Sequence, residues 1–118
     1  MRIFYYLSSC NTCKRIAKEL KLDNTILQID VKKNPLSLSE IETLYNIVGN
    51  YEDLINKQSQ LYKQRKLKYQ NLREKDCKNL LLEHYSFLKR PVLLYDNHSF
   101  IGNASKTIAA AKIFLDGQ

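Results

Sequence analysis

No apolar run in the chain approaches the roughly 18 residues that a membrane-spanning helix needs, so a spanning protein is not expected. An apolar leader is missing too. Met1-Arg2 opens directly into Ile3-Phe4-Tyr5-Tyr6-Leu7, and the expected location is the cytoplasm. No internal repeat, low-complexity tract or linker divides the 118 residues, a length that suits one domain with a real core and is too short for two. Metal ligands are scarce. Cys77, His84 and His98 are scattered away from Cys10 and Cys13, and a structural zinc site needs about four ligands at comparable spacing, so no metal is expected. In a reducing compartment three cysteines rest as thiols and are used transiently.

Positive charge, by contrast, is plentiful and unevenly spread. The formal net charge is +7, and residues 57–78 carry eight Lys/Arg against Glu74 and Asp76, a local net of +6. Tyr62 and Tyr69 interleave with these lysines, a pattern that suits contact with nucleic acid or an acidic protein surface. A solvated, lysine-rich helical face explains the same residues and is the favoured reading.

The chemistry-bearing stretch is Ser8-Ser9-Cys10-Asn11-Thr12-Cys13-Lys14-Arg15. It lies between an apolar strand pattern and a helical pattern carried by Ile16, Ala17 and Leu20. Strand, Cys-x-x-Cys loop and helix in that order is the layout of a thioredoxin-like redox site. The unpaired N–H groups and partial positive charge of a helix start stabilise a thiolate, which makes Cys10 the candidate nucleophile. Lys14 and Arg15 are expected to add positive charge. The backbone N–H groups of Asn11, Thr12 and Cys13 would cradle an oxyanion or a sulfur. Cys13, on the first turn, is placed to resolve a mixed disulfide at Cys10. Structural cysteines and, more remotely, metal binding remain as other readings of the pair. Cys77 sits among Leu80 and Leu81 in a helical pattern and reads as a buried structural residue, and His84 and His98 read as incidental.

The remaining elements follow from periodicity and caps. Strands are expected over Arg2 to Leu7 and Thr25 to Val31, joined by a helix over Asn11 to Leu22, as one right-handed βαβ unit. Ser37-Leu38-Ser39-Glu40 is a capping box that opens a helix stopping at Gly49-Asn50. Tyr51 to Ile55 suggests one more turn, and Leu61 to Tyr85 a helical stretch interrupted near Tyr69 to Leu72. After Arg90-Pro91, Val92 to Tyr95 and Ser99 to Ile101 read as a hairpin around the turn Asp96-Asn97-His98. Ser105 is expected to cap a last helix ending at Gly117.

Laid out in this order, the chain resembles the ArsC/Spx family of arsenate reductase-like, thioredoxin-like proteins. The resemblance rests on residues 6–15, on Asn-Pro-Leu-Ser-Leu-Ser-Glu-Ile (34–41), on Leu-Tyr-Lys (61–63) and on Leu-Lys-Arg-Pro-Val-Leu-Leu (88–94). It implies an α/β fold of thioredoxin-like type: a central mixed four-stranded sheet, flanking helices and a helical insertion over about 38–88. A single 1–118 domain is implied, its thioredoxin-like parts at about 1–31 and 89–118 and its insert at about 37–88. Arg90 would stabilise negative charge at Cys10, and the bond before Pro91 would be cis, setting Pro91 against the cysteine loop. Asn11, Thr12, Lys14 and Pro91 are thus the substrate-binding candidates, and Cys10, Cys13 and Arg90 the catalytic ones.

The resemblance has two branches. Arsenate reductases of this type use the cysteine matching Cys10 with glutathione and glutaredoxin, and surround the oxyanion with arginines. Arg90 matches one of these, whereas Asn56 and Asn103 stand at or near the places of two others, with Lys57 a substitute that lacks the planar fork. The other branch, Spx, is a redox-sensing transcriptional regulator that binds RNA polymerase and has both loop cysteines. Its polymerase-facing glycine falls near Asn50, beside Gly49. The expected function is therefore a thiol-disulfide oxidoreductase, with an Spx-like Cys10–Cys13 switch as the alternative. Expected substrates are a small oxyanion or a disulfide. No cofactor is expected to be bound; glutathione, glutaredoxin or thioredoxin would be the external reductant. A redox protein partner, no membrane and a monomeric state complete the expectation.

Overall fold

A four-stranded sheet organises the first and last parts of the chain. The computed structural model describes all residues, 1–118. Strands β1 (Arg2–Tyr6), β2 (Leu27–Asp30), β3 (Val92–Tyr95) and β4 (His98–Ile101) lie in the order β2-β1-β3-β4. β1 pairs parallel with β2 and antiparallel with β3, and β3 pairs antiparallel with β4, so the sheet is mixed. The parallel pair is joined by helix α1 (Asn11–Leu20), the crossover that parallel strands require. The central strands are buried on both faces: Phe4, Tyr5 and Val92 to Leu94 are at most 2% exposed. Ile16 and Leu20 of α1 pack with Phe4, Leu93 and Tyr95, and Ile108 and Ala111 of α5 (Ser105–Asp116) join the same core. This is the α/β, thioredoxin-like fold that the order of elements implied.

The chain divides into two compact units, residues 1–31 with 90–118, and residues 32–89. The second unit is helical: α2 (Leu38–Val48), α3 (Gln60–Gln64) and α4 (Glu74–Glu83), with 3-10 turns at Glu52–Leu54, Leu67–Tyr69 and Tyr85–Phe87. The capping box forms. Ser37 Oγ accepts the Glu40 N–H at 3.1 Å and Glu40 Oε1 accepts the Ser37 N–H at 3.1 Å. Gly49, at φ +98°, closes α2 in the left-handed conformation that glycine adopts without steric cost. Glu74 ties the unit together by accepting the N–H groups of Tyr51 and Glu52 at 2.7 and 3.1 Å. No helix is long and apolar enough to cross a membrane.

Several element boundaries differ from those expected. α1 stops at Leu20 because Lys21 turns left-handed and donates back to the Lys18 carbonyl. β2 begins only at Leu27, since Asp23 draws the Thr25 N–H and hydroxyl into a tight turn. The break in the Leu61–Tyr85 pattern is wider than Tyr69–Leu72: α3 ends at Gln64, Lys66 is left-handed, and α4 restarts at Glu74. His98 belongs to β4 rather than to the turn, paired opposite Tyr95. Ser105 is the first residue of α5, whose N-cap is Ala104, without a side-chain cap.

Candidate functional site

Cys10 is the N-cap of α1. Its extended backbone (φ −94°, ψ 108°) leaves β1 behind, its N–H donates to the Leu7 carbonyl at 3.0 Å, and its own carbonyl accepts the Lys14 N–H at 3.2 Å. That geometry turns the side chain onto the unpaired N–H groups of the first turn. The Cys13 N–H donates to Cys10 Sγ at 3.4 Å, so sulfur occupies the place where a serine or aspartate oxygen usually caps a helix. No acidic residue lies in that first turn to oppose a thiolate.

Opposing forces act on the Cys10 thiol. Partial burial raises its pKa. The Cys13 N–H, the Cys13 thiol, the Thr12 N–H and the Arg90 charge all lower it, and together they win: the pKa falls below the ordinary 9.0. Cys13 behaves in the opposite way. It is completely buried. Burial, then its hydrogen bond with Cys10 and the Cys10 charge, push its thiol up to about 11, against the lowering effects of the Leu7 backbone and Arg90. Two cysteines three residues apart thus differ in kind, one half-buried with a lowered pKa, the other buried with a raised one.

The other expected site residues fall into two groups. Arg90, half-buried, acts electrostatically on both loop cysteines. The Arg90–Pro91 bond is cis, and Pro91 is buried, with its carbonyl accepting the Gly102 N–H at 2.8 Å. Thr12 supplies its N–H to the Cys10 sulfur. Asn11 and Lys14 are exposed on α1. Arg15 pairs with Glu19 at 3.7 Å, and the charge that lowers the Cys10 pKa is that of Arg90, just before β3. Leu7 went unnoticed in the sequence; it holds the Cys10 N–H and acts on the Cys13 thiol through its backbone, which carries no sequence signal.

The expected oxyanion positions read differently. Asn103 is exposed on the segment between β4 and α5. Asn56 is engaged within its own unit, its N–H donating to the Phe87 carbonyl at 2.7 Å and its Oδ1 accepting the Gln58 N–H at 3.0 Å. Cys77 is buried in α4, where burial and then the carboxylates of Glu74, Glu52 and Asp76 raise its pKa. No group of three or more His, Cys, Asp or Glu side chains converges to hold a metal ion.

The model of the ArsC family matches residues 5–111, which is nearly the whole chain. The chain belongs to the ArsC family. This ArsC-family protein is similar in structure to an ArsC family related protein from Bacteroides fragilis, at 18% identity and a TM-score of 0.78, covering 93% of this chain and 97% of that one. It is similar to a possible arsenate reductase from Streptococcus mutans at 28% identity, TM-score 0.69, covering 89% and 92%. It also matches an arsenate reductase from Vibrio cholerae at 17% identity, TM-score 0.75, covering 93% and 96%. No curated protein matches at a significant level. Family membership and these neighbours support a thioredoxin-like redox role.

Proposed function

We propose that this ArsC-family protein is a thiol-disulfide oxidoreductase in which Cys10 attacks and Cys13 resolves. The observation that carries this is the asymmetry of the pair: a Cys10 thiol lowered at a helix N-cap beside a buried Cys13 thiol held near 11. The thiolate is the reactive form, so attack at near-neutral pH falls to Cys10.

The exchange balances without a bound cofactor. Cys10 thiolate attacks one sulfur of a disulfide substrate, forming a mixed disulfide and releasing the other half as a thiolate that takes a proton from water. The Cys10 charge, one of the causes that hold the Cys13 proton, disappears at that moment. Cys13 then loses its proton, attacks Cys10 Sγ and releases the second half of the substrate. Two electrons have passed from the cysteine pair to the substrate, and an external thiol such as glutathione, glutaredoxin or thioredoxin returns them. The arsenate-reductase names of structural relatives suggest a small oxyanion as a further substrate, for which Arg90 would offer a planar, two-pronged donor.

Mild oxidation with diamide followed by peptide mapping tests the reading. A Cys10–Cys13 bridge with Cys77 free is expected. Recovery of Cys77 bridged to Cys10, or of both loop cysteines as free thiols, would overturn it. Catalytic turnover of a small disulfide in the presence of glutathione should be lost in Cys10→Ser.

A further inference from the structure

The basic stretch that the redox chemistry leaves unused surrounds a cavity of about 540 Å³ within the helical unit. Its size falls in the range of about 300–1,000 Å³ usual for small-molecule sites. Lys57, Lys63, Lys66 and Lys68 line it together with Tyr62 and Tyr69. A neighbouring cavity of about 220 Å³ adjoins it and shares Lys57, Tyr62 and Lys68.

The distribution of ion pairs is the decisive feature. Lys57 is neutralised by Glu52 at 3.2 Å, Arg65 pairs with Glu83, and Lys78 reaches Glu42 at 4.0 Å. Lys63, Lys66 and Lys68 form no ion pair. A left-handed Lys66 (φ 53°) turns the chain between α3 and the Leu67–Tyr69 turn, and Lys63, Lys66 and Lys68 line one cavity there. Like charges gathered without counterions repel one another unless an anion joins them. The wall also presents a large aromatic surface to solvent: Tyr69 is 78% exposed, with Lys68 Nζ 5.7 Å from its ring centroid. A ring so exposed contributes little to the core, yet offers a flat face on which a base can stack, beside cations that phosphates require.

From this we propose that the cleft binds a nucleoside polyphosphate, its phosphates held by Lys63, Lys66 and Lys68 and its base stacked on Tyr69. A nucleoside diphosphate carries roughly −3 charge near neutral pH, by extension from phosphate monoesters at about −1.5 to −2, which three free ammonium groups match. The lining residues lie wholly within residues 32–89.

Calorimetric titration of the full chain with ADP, adenosine, inorganic pyrophosphate and an oligothymidine tests this, with far-UV circular dichroism as the folding control. Saturable ADP binding that weakens as salt rises is expected, with adenosine weaker by at least about tenfold because it lacks the phosphates. Lys63→Gln combined with Lys68→Gln should weaken ADP and pyrophosphate alike by about tenfold or more. Lys66→Gly, which suits the left-handed backbone and removes the side chain with its charge, should weaken both by a smaller factor. Tyr69→Ala should weaken ADP by about fivefold and leave pyrophosphate unchanged, since only the base loses its stacking face. The absence of saturable ADP binding, or ADP binding indifferent to these substitutions, would overturn the proposal. So would tight binding of oligothymidine without binding of ADP, which would assign the cleft to a nucleic acid strand.

Discussion

The backbone N–H of Cys13 donates to the sulfur of Cys10 at 3.4 Å and lowers the Cys10 pKa. The same contact works against Cys13, because the Cys10 sulfur and its charge raise the Cys13 pKa. One hydrogen-bonded turn therefore separates the two thiols in acidity.

The Arg90 charge lowers the pKa of both thiols, and its removal has a definite sign at Cys10. Alkylation of Cys10 by iodoacetamide is expected to reach half its maximal rate below pH 9.0, the ordinary thiol value. Because the guanidinium stabilises the thiolate, Arg90→Gln should move this midpoint upward, while Arg90→Lys, which keeps the charge, should move it less. A midpoint unaltered by Arg90→Gln would remove Arg90 from the site.

Cys13 predicts a loss of stability at alkaline pH. Its folded-state pKa, about 11, lies above the ordinary 9.0, so between these values the unfolded chain has released a proton that the folded chain still holds. The unfolded state binds fewer protons there, and stability must fall as pH rises through that window. Urea midpoints measured at pH 8, 9, 10 and 11 should decline less in Cys13→Ala than in the unaltered chain.

Arsenate reduction is expected to be weak. The resemblance to the arsenate reductases sets Asn56 and Asn103 at or near the places of two oxyanion-binding arginines, and each charge-assisted hydrogen bond lost from an oxyanion is worth roughly 1.5–3 kcal/mol. Turnover with glutathione and glutaredoxin should fall below the common enzyme range of about 1–1000 per second. Asn103→Arg, at an exposed position, should fold normally, whereas Asn56→Arg gives up the bond to the Gln58 N–H and should lower stability by about 1 kcal/mol. Together they should raise arsenate turnover; no gain in a folded double variant would count against an oxyanion site of this kind.

The start of α2 offers a test of local structure. Ser37→Ala removes the acceptor of the Glu40 N–H and leaves a helix donor unpaired, at a cost of about 1 kcal/mol. The change should appear as a lower urea midpoint with an unaltered slope, and Ser37→Asp should restore it.

Much of this protein was already written in its local sequence. The strand Ile3 to Tyr6 running into Cys10, the helix on Ile16 and Leu20, the capping box at Ser37 and the hairpin after Pro91 depend on neighbours a few residues away. Periodicity, caps and turn residues encode such elements directly. Their ends are less legible: Lys21 and Lys66 enter the left-handed region without being glycine, and nothing in the local pattern announces it. What only the tertiary structure decided is which charges meet. In the sequence, Lys14 and Arg15 are the cations closest to Cys10; in the fold, Arg15 turns to Glu19 and Arg90, distant along the chain, acts on the sulfur. Likewise the run of lysines from 57 to 78 looks uniform until Glu52, Glu83 and Glu42 neutralise some members and leave Lys63, Lys66 and Lys68 around one cavity. The reason is physical: Coulomb energy and desolvation depend on distance in space and on what surrounds each group, and neither follows from separation along the chain.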